Sequence, residues 1–329
     1  MKLHFLTILF LCFLVACNSD KKEKKISSIK PELTYPSFSK DSAYANVRKQ
    51  VLFGPRIPNS EAHKKCAAWM AEKLRSYGAE VVEQKFQVKA FDGTMLNGIN
   101  IVAQINPASK RRIVFAAHWD TRPWSDSDPD PAMKKKSFDS ADDGPSAVGV
   151  LIELARALQS QSLKNIGVDI VLFDLEDYGT ESTPSQDNTN TWGLGSQYWS
   201  RNPHVPGYRP MYGVLLDMVG GAYPGFYVED FSVKYAKDIV DKVWSLAESE
   251  GYGSSFPKRS AGAVTDDHYF VNTIARIPMI DIINRPDGKS FPHWHHTQKD
   301  KMNVIDPYTL QMVGKLMVKL IYKEDAGDI

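Results

Sequence analysis

The sequence predicts an α/β fold: a three-layer sandwich with a central, mostly parallel or mixed twisted sheet flanked by helices. Three observations carry that expectation. Apolar runs rich in β-branched residues alternate with stretches of helical period. Three of these runs are nearly continuous in apolar residues, as in strands covered on both faces. Several runs also lead straight into His, Asp or Glu, and in open α/β sheets the site lies beyond the carboxyl ends of the strands.

The chain opens Met1-Lys2-Leu3-His4 and then runs apolar for 12 residues, from Phe5 to Ala16. A single positive charge before so short an apolar stretch fits a cleaved signal peptide. A permanent membrane span would need about 20 residues. The run ends Leu14-Val15-Ala16-Cys17, which resembles the lipobox of bacterial lipoproteins. Residues 1–16 are therefore expected to be removed and Cys17 to carry lipid. Residues 17–39 would form a polar tether, and 40–329 a single domain held at the cell envelope, on its periplasmic face or outer surface. With Cys12 removed and Cys17 blocked, only Cys66 of the three cysteines is left, as a buried thiol. A disulfide scaffold is excluded.

Strands are expected at Asn100–Ile105, Ile113–Ala117, Val168–Phe173, Gly213–Leu216 and Pro278–Ile283. Helices are expected near 43–53, 61–77, 145–159, 232–251 and 307–323. The helix after Asp143 has that acid as a cap, Pro145 in its first turn, and Val148, Leu151, Ile152, Ala155 and Leu158 on one face. The 43% hydrophobic and 24% charged residues are globular composition. Lys and Arg total 40 against 39 Asp and Glu, so nothing calls for a nucleic-acid partner.

The strand ends deliver chemistry. Ile113–Ala117 runs into His118-Trp119-Asp120, Val168–Phe173 into Asp174-Leu175-Glu176-Asp177, and Gly213–Leu216 into Asp217. Asp142-Asp143 precedes a helix, and Asp266-Asp267-His268 and His293-Trp294-His295-His296 come late. Imidazole and carboxylate without thiolate suit zinc or a similar divalent metal. There is no HExxH, no GxSxG elbow and no phosphate loop, so any ligands converge from distant loops. Adjacent acids such as Glu176-Asp177 read alone as a solvated turn; beside a metal they can divide into ligand and general base. Asp126, Asp128 and Asp130 read as a solvated loop, because no calcium-loop spacing accompanies them. His293 and His295 read as supporting groups, His268 as a hydrogen-bonded structural histidine, and Asp142 as a residue orienting a neighbour.

In order, these segments resemble the zinc peptidases of family M28 and, within that clan, the glutaminyl cyclases. The resemblance runs from about Asn46 to Lys323. It rests on Phe53-Gly54-Pro55-Arg56, on Asp143 followed ten residues later by Glu153-Leu154-Ala155-Arg156-Ala157-Leu158, and on Phe173-Asp174-Leu175-Glu176-Asp177. Leu215-Leu216-Asp217-Met218-Val219-Gly220, Asp266-Asp267-His268, Phe291-Pro292 and His296-Thr297 complete it. It implies one zinc on Asp143, Asp177 and His296, with Glu176 as acid and base and Asp217 and Asp266 hydrogen-bonding around the reacting amide. It implies that His118 is a second-metal ligand in the aminopeptidases but not in the cyclases, and that Asp120 is a supporting carboxylate. The implied substrates are peptides and proteins with amino-terminal glutamine, cyclised to pyroglutamate with loss of ammonia.

Two positions depart from the family. Asp177 stands where Glu is usual, and His295 where the animal cyclases carry Trp. Trp192, Phe291 and Trp294, with Trp119, are therefore candidates for the pocket wall. The doubled acid Asp266-Asp267 favours a cyclase over a two-zinc aminopeptidase, in which Ser-Asp-His is usual. The residue types at His118, Asp143, Asp177, Asp217 and His296 leave the aminopeptidase open, and a lipoprotein that only binds peptide or metal remains a third reading.

Overall fold

Four strands run parallel and deliver their carboxyl ends to one edge of a six-stranded sheet. The computed structural model describes residues 33–329, and Thr34–Ile329 form one compact unit. The strands are β1 (Glu80–Lys89), β2 (Met95–Ile105), β3 (Arg112–His118), β4 (Gly167–Phe173), β5 (Tyr212–Asp217) and β6 (Met279–Ile283). Their order is β1-β2-β4-β3-β5-β6. β3 pairs in parallel with β4 and β5, and β5 with β6, whereas β2 is antiparallel to both β1 and β4. The sheet is thus mixed, as the alternation of runs implies.

Every residue of β3, β4, β5 and β6 is buried. This explains their continuous apolar character. Val114, Val171, Leu215 and Met279 pack on one face with Trp199 and Val271. Residues between them, such as Phe115, Ile170 and Val214, are equally buried, and α3 (Pro145–Ser160) runs against β3 and β5. α1 (Lys40–Val51) and α7 (Pro307–Ala326) pack on α3, α2 (Glu61–Ser76) lies over β1 and β2, and α5 (Asp230–Ser249) covers β6. The remaining helices are α4 (Leu194–Arg201) and the single turn α6 (Asp267–Phe270). Cys66 is buried on α2 without a disulfide partner, and burial pushes its thiol up to about 12.

The five expected strands and five expected helices form, with ends shifted by a few residues. β1 and α4 were not expected. β1 is an edge strand with mostly solvated side chains, so it lacks an apolar run. α4 has only 8 residues, too few to show a period. Asp143 is not the cap of α3. Gly144 holds that position at φ +83, and a Cβ there would stand 2.9 Å from His118 Cε1, so the turn frees the Asp143 side chain for other partners. The packed chain also begins within the stretch read as a tether. Phe38 is buried against Gly314, and the Ser39 N–H donates to Glu153 Oε1 at 2.8 Å. The expected signal peptide and Cys17 anchor lie outside the described residues. Among the described residues, no helix is long and apolar enough to cross a membrane.

Candidate metal centre and active site

The turns at the carboxyl ends of β3, β4 and β5 converge with two late loops on a cavity of about 300 Å³. Asp143, Glu176, Asp177, Asp217, Asp266 and His296 all line it. Several turns that carry them are left-handed at non-glycine residues: Ser140 at φ 50, Leu175 at φ 58, Met218 at φ 48 and His296 itself at φ 54. Each such residue costs of order 1 kcal/mol or more, and such strain collects at functional sites.

His296 Nε2 stands 3.1 Å from Asp177 Oδ1 and 3.4 Å from Asp143 Oδ2. Both oxygens are buried without a hydrogen-bond donor, as is Asp177 Oδ2. Desolvated carboxylate oxygens left unpaired are costly, and a divalent cation between them and an imidazole removes that cost. The donor set of one nitrogen and carboxylate oxygens fits zinc. Among the described residues three groups of atoms could each hold an ion: Asp143 with His295 and His296, His118 with Asp143 and Asp217, and Asp266 with His268 and Asp281, each set lying within 4.8 Å.

The charges shape one another. Burial opposes protonation of His296, but Asp177 and Asp143 raise it to about 10. Burial raises Asp143, yet the neighbouring His118 and His296 imidazoles hold it well below the usual range. Burial pushes Glu176 well above its ordinary value; His118 opposes this, and the charges of Asp177, Asp266 and Asp267 add to it. Burial likewise lifts Asp217 to about 7 against the hydrogen bond from His118.

Supporting residues fix the loops that carry Asp143, Glu176 and Asp177. Asp120 accepts the Glu176 N–H at 3.0 Å and the Asp177 N–H at 3.2 Å. His118 Nε2 lies 2.9 Å from Asp143 Oδ1 and 3.4 Å from Asp217 Oδ1. Asp142 orients neighbours, accepting from Gly220 N and from the Trp294 indole at 2.9 Å. His268 pairs with Glu229 at 2.9 Å.

Asp300 and Arg122 carry no role in the sequence, and Asp126 has one beyond the solvated loop expected of it. Asp300 accepts backbone N–H groups of Ala141, Asp142 and Asp143. Arg122 donates to the carbonyls of Asp177 and Gly179, both at 3.1 Å. Asp126 is not merely a solvated acid: it pairs with Arg122 and lies 3.6 Å from His296 Nδ1. Asp300 stands four residues after His296, and that spacing is the one signal that could have found it.

Trp192 and Phe291 line the cavity. Trp294 does not: its indole is drawn to Asp142 and lies over Gly221, where a Cβ would be 2.5 Å from the ring. Trp119 is buried against His63, with ring centroids 4.4 Å apart. His295 takes a wall position instead. It stacks on His296 at 3.7 Å and near Phe291 at 4.5 Å. Burial and the charge of His296 lower it to about 3, so it is a neutral ring.

The sequence model of peptidase family M28 matches residues 100–321. The chain belongs to peptidase family M28. Within it, the chain groups with the glutaminyl cyclases. It is 45% identical to the Bacteroides thetaiotaomicron glutaminyl cyclase solved bound to N-acetylhistamine, with a TM-score of 0.85 over 88% of this chain and 99% of that one. A structure from Parabacteroides distasonis, named a Zn-dependent exopeptidase, is also 45% identical, with a TM-score of 0.83 over the same shares. The glutaminyl-peptide cyclotransferase of Bos taurus is 27% identical over 252 residues, 66% of this chain. That match spans 64% of the bovine protein's own length. The M28 family and the zinc-dependent relative agree with the oxygen and nitrogen donors gathered here.

Proposed function

We propose that this M28 protein is a glutaminyl-peptide cyclotransferase, converting the amino-terminal glutamine of peptides and proteins to pyroglutamate with release of ammonia. The observation that carries the reading is the set of unpaired carboxylate oxygens of Asp143 and Asp177 around His296 Nε2, beside an uncommitted Glu176 in the same cavity. One zinc ion on Asp143, Asp177 and His296 would supply polarisation of the side-chain carbonyl.

The chain's own residues do the rest. The cavity admits the glutamine side chain between Trp192 and Phe291 and holds it curled, so that the α-amine nitrogen faces the carboxamide carbon. That nitrogen forms the ring bond as the carbon–nitrogen bond of the carboxamide breaks. Glu176 takes a proton from the attacking amine and returns it to the departing nitrogen, which leaves as ammonia. Its raised proton affinity suits a group that must both accept and give. Asp217 and Asp266, lining the same cavity, accept hydrogen bonds from the amide nitrogen.

The test is incubation with a glutamine-initiated peptide. Mass loss of one ammonia supports the reading. Free glutamine would instead support a two-metal aminopeptidase, which the His118, Asp143 and Asp217 group favours as the second reading. Two zinc ions per chain by elemental analysis would do the same.

The envelope location belongs to this proposal. The Leu14-Val15-Ala16-Cys17 pattern supports cleavage of residues 1–16 and lipid attachment at Cys17. Incorporation of labelled fatty acid, lost in Cys17→Ala, tests it.

A further inference from the structure

We propose that Arg285 makes this cavity selective for a carboxylate carried just beyond the amino-terminal glutamine. The proposal rests on the cyclase reading above and names the substrates that site prefers. Six acids line the cavity, namely Asp143, Glu176, Asp177, Glu181, Asp217 and Asp266, and Arg285 is its single arginine or lysine. Four of those acids gather around the metal and amide positions.

Arg285 follows directly from the sheet edge. β6 ends at Ile283, and the Arg285 N–H then donates to the Gly225 carbonyl at 2.9 Å. Its guanidinium is held on two sides. Nη1 donates to the Ala261 carbonyl at 2.8 Å, and the guanidinium carbon lies 5.2 Å from the Phe291 ring centroid. A fork fixed in this way loses little freedom on binding. Its donors are not spent. Nε is buried without an acceptor, and no carboxylate among the described residues pairs with the group. A half-buried guanidinium with no carboxylate partner, beside the ring that walls the glutamine, is matched by a planar carboxylate.

The substrate's geometry says where that carboxylate lies. The glutamine side chain and α-amine face Glu176 and the metal ligands, so the peptide leaves by the mouth. The first group to pass Phe291 and Arg285 is residue two: the side chain of Asp or Glu there, or the terminal carboxylate of a Gln-Xaa dipeptide. Glu181, at the same cavity, is exposed, so solvent and salt screen its opposing charge.

The experiment measures ammonia release from Gln-Glu-amide, Gln-Ala-amide, Gln-Lys-amide and free Gln-Ala. At low salt, kcat/KM for Gln-Glu-amide should exceed that for Gln-Lys-amide by about fivefold, the upper end for a partly exposed ion pair, and the gap should narrow as salt rises. A gain for free Gln-Ala over its amide, with none for Gln-Glu-amide, would support the proposal with the terminal carboxylate as the group read. In Arg285→Met the ratio should fall towards one, and in Arg285→Glu it should invert. Misfolding lowers all four peptides together, so the ratio separates it from lost selectivity. Equal rates in the native protein, or a preference for Gln-Lys-amide that vanishes in Glu181→Gln, would overturn the proposal and leave the cyclase reading standing. No ammonia from any peptide would overturn the cyclase reading and this one with it.

Discussion

Asp300 grips the loop that presents Asp143. Its Oδ2 accepts the Asp143 N–H at 3.2 Å, and its Oδ1 accepts those of Ala141 and Asp142 at 3.0 and 2.8 Å. Because Asp300 lies in the loop that carries His296, one carboxylate sets the loops of Asp143 and His296 in register. Arg56 holds the same loop from its other end, donating to the carbonyls of Asp139 and Ser140 at 2.6 Å.

Asp300→Asn should therefore weaken zinc binding with little change in fold. The amide keeps one acceptor oxygen but turns an NH₂ towards backbone donors. Loss of such a supporting group typically costs about 10- to 100-fold in metal affinity. Competition against a chelator reads the affinity, and far-ultraviolet circular dichroism controls for folding. Unchanged zinc affinity would show that the ligand loops hold their register without Asp300.

Glu176 and Asp177 are adjacent, but they should separate in function. Glu176→Gln preserves shape and removes the titrating group. Ammonia release should fall by at least about 100-fold, while zinc content by elemental analysis stays at the native level. Asp177→Asn should lose zinc as well. Full turnover in Glu176→Gln would remove it from the mechanism.

The contrast between these residues and Asp300 shows what the sequence made legible. Buried parallel strands are written as apolar runs, so the exits at His118, Glu176 and Asp217 could be placed from sequence, and the structure brings them to one edge. A ligand type at a strand end is a local signal. Asp300 and Arg122 act through backbone groups distant in sequence, and nothing in their neighbourhood marks those partners. Trp294 misled for a related reason. An aromatic two residues before His296 suggests a wall, but its indole N–H is drawn to buried Asp142, leaving the wall to His295, Phe291 and Trp192. Gly144 took the cap expected of Asp143 because only a residue tolerant of φ +83 fits against His118.

A glycine also sets the pocket wall. A Cβ on Gly179 would lie 2.1 Å from Trp192 Cδ2, while the indole is otherwise held by its N–H to the Thr180 carbonyl at 3.1 Å. Gly179→Ala must push Trp192 out of place. KM for a glutamine-initiated peptide should rise about fivefold, the scale of one lost aromatic contact, with zinc content unchanged. If KM does not move, Trp192 does not touch the substrate.

Stability in acid should depend on a carboxylate remote from Asp143, Asp177 and His296. Glu229 caps α5, accepting the N–H groups of Phe231 and Ser232 at 2.9 and 2.6 Å, and it also receives the Val264 N–H and His268 Nε2 at 2.9 Å. Burial alone would raise its carboxyl, but the His268 hydrogen bond and charge, with the backbone donors, lower it from 4.5 to about 2. A carboxylate depressed in the folded state contributes stability that is fully present above its unfolded value, near 4.5, and is lost as pH falls towards 2. The shift corresponds to about 3 kcal/mol at neutral pH. Between pH 5 and 2 the urea midpoint of the native protein should fall steeply. Glu229→Gln should start lower at pH 7 and fall less across that window, because one proton-linked group is gone. Parallel curves for the two proteins would show that the charge on Glu229 does not stabilise the cap.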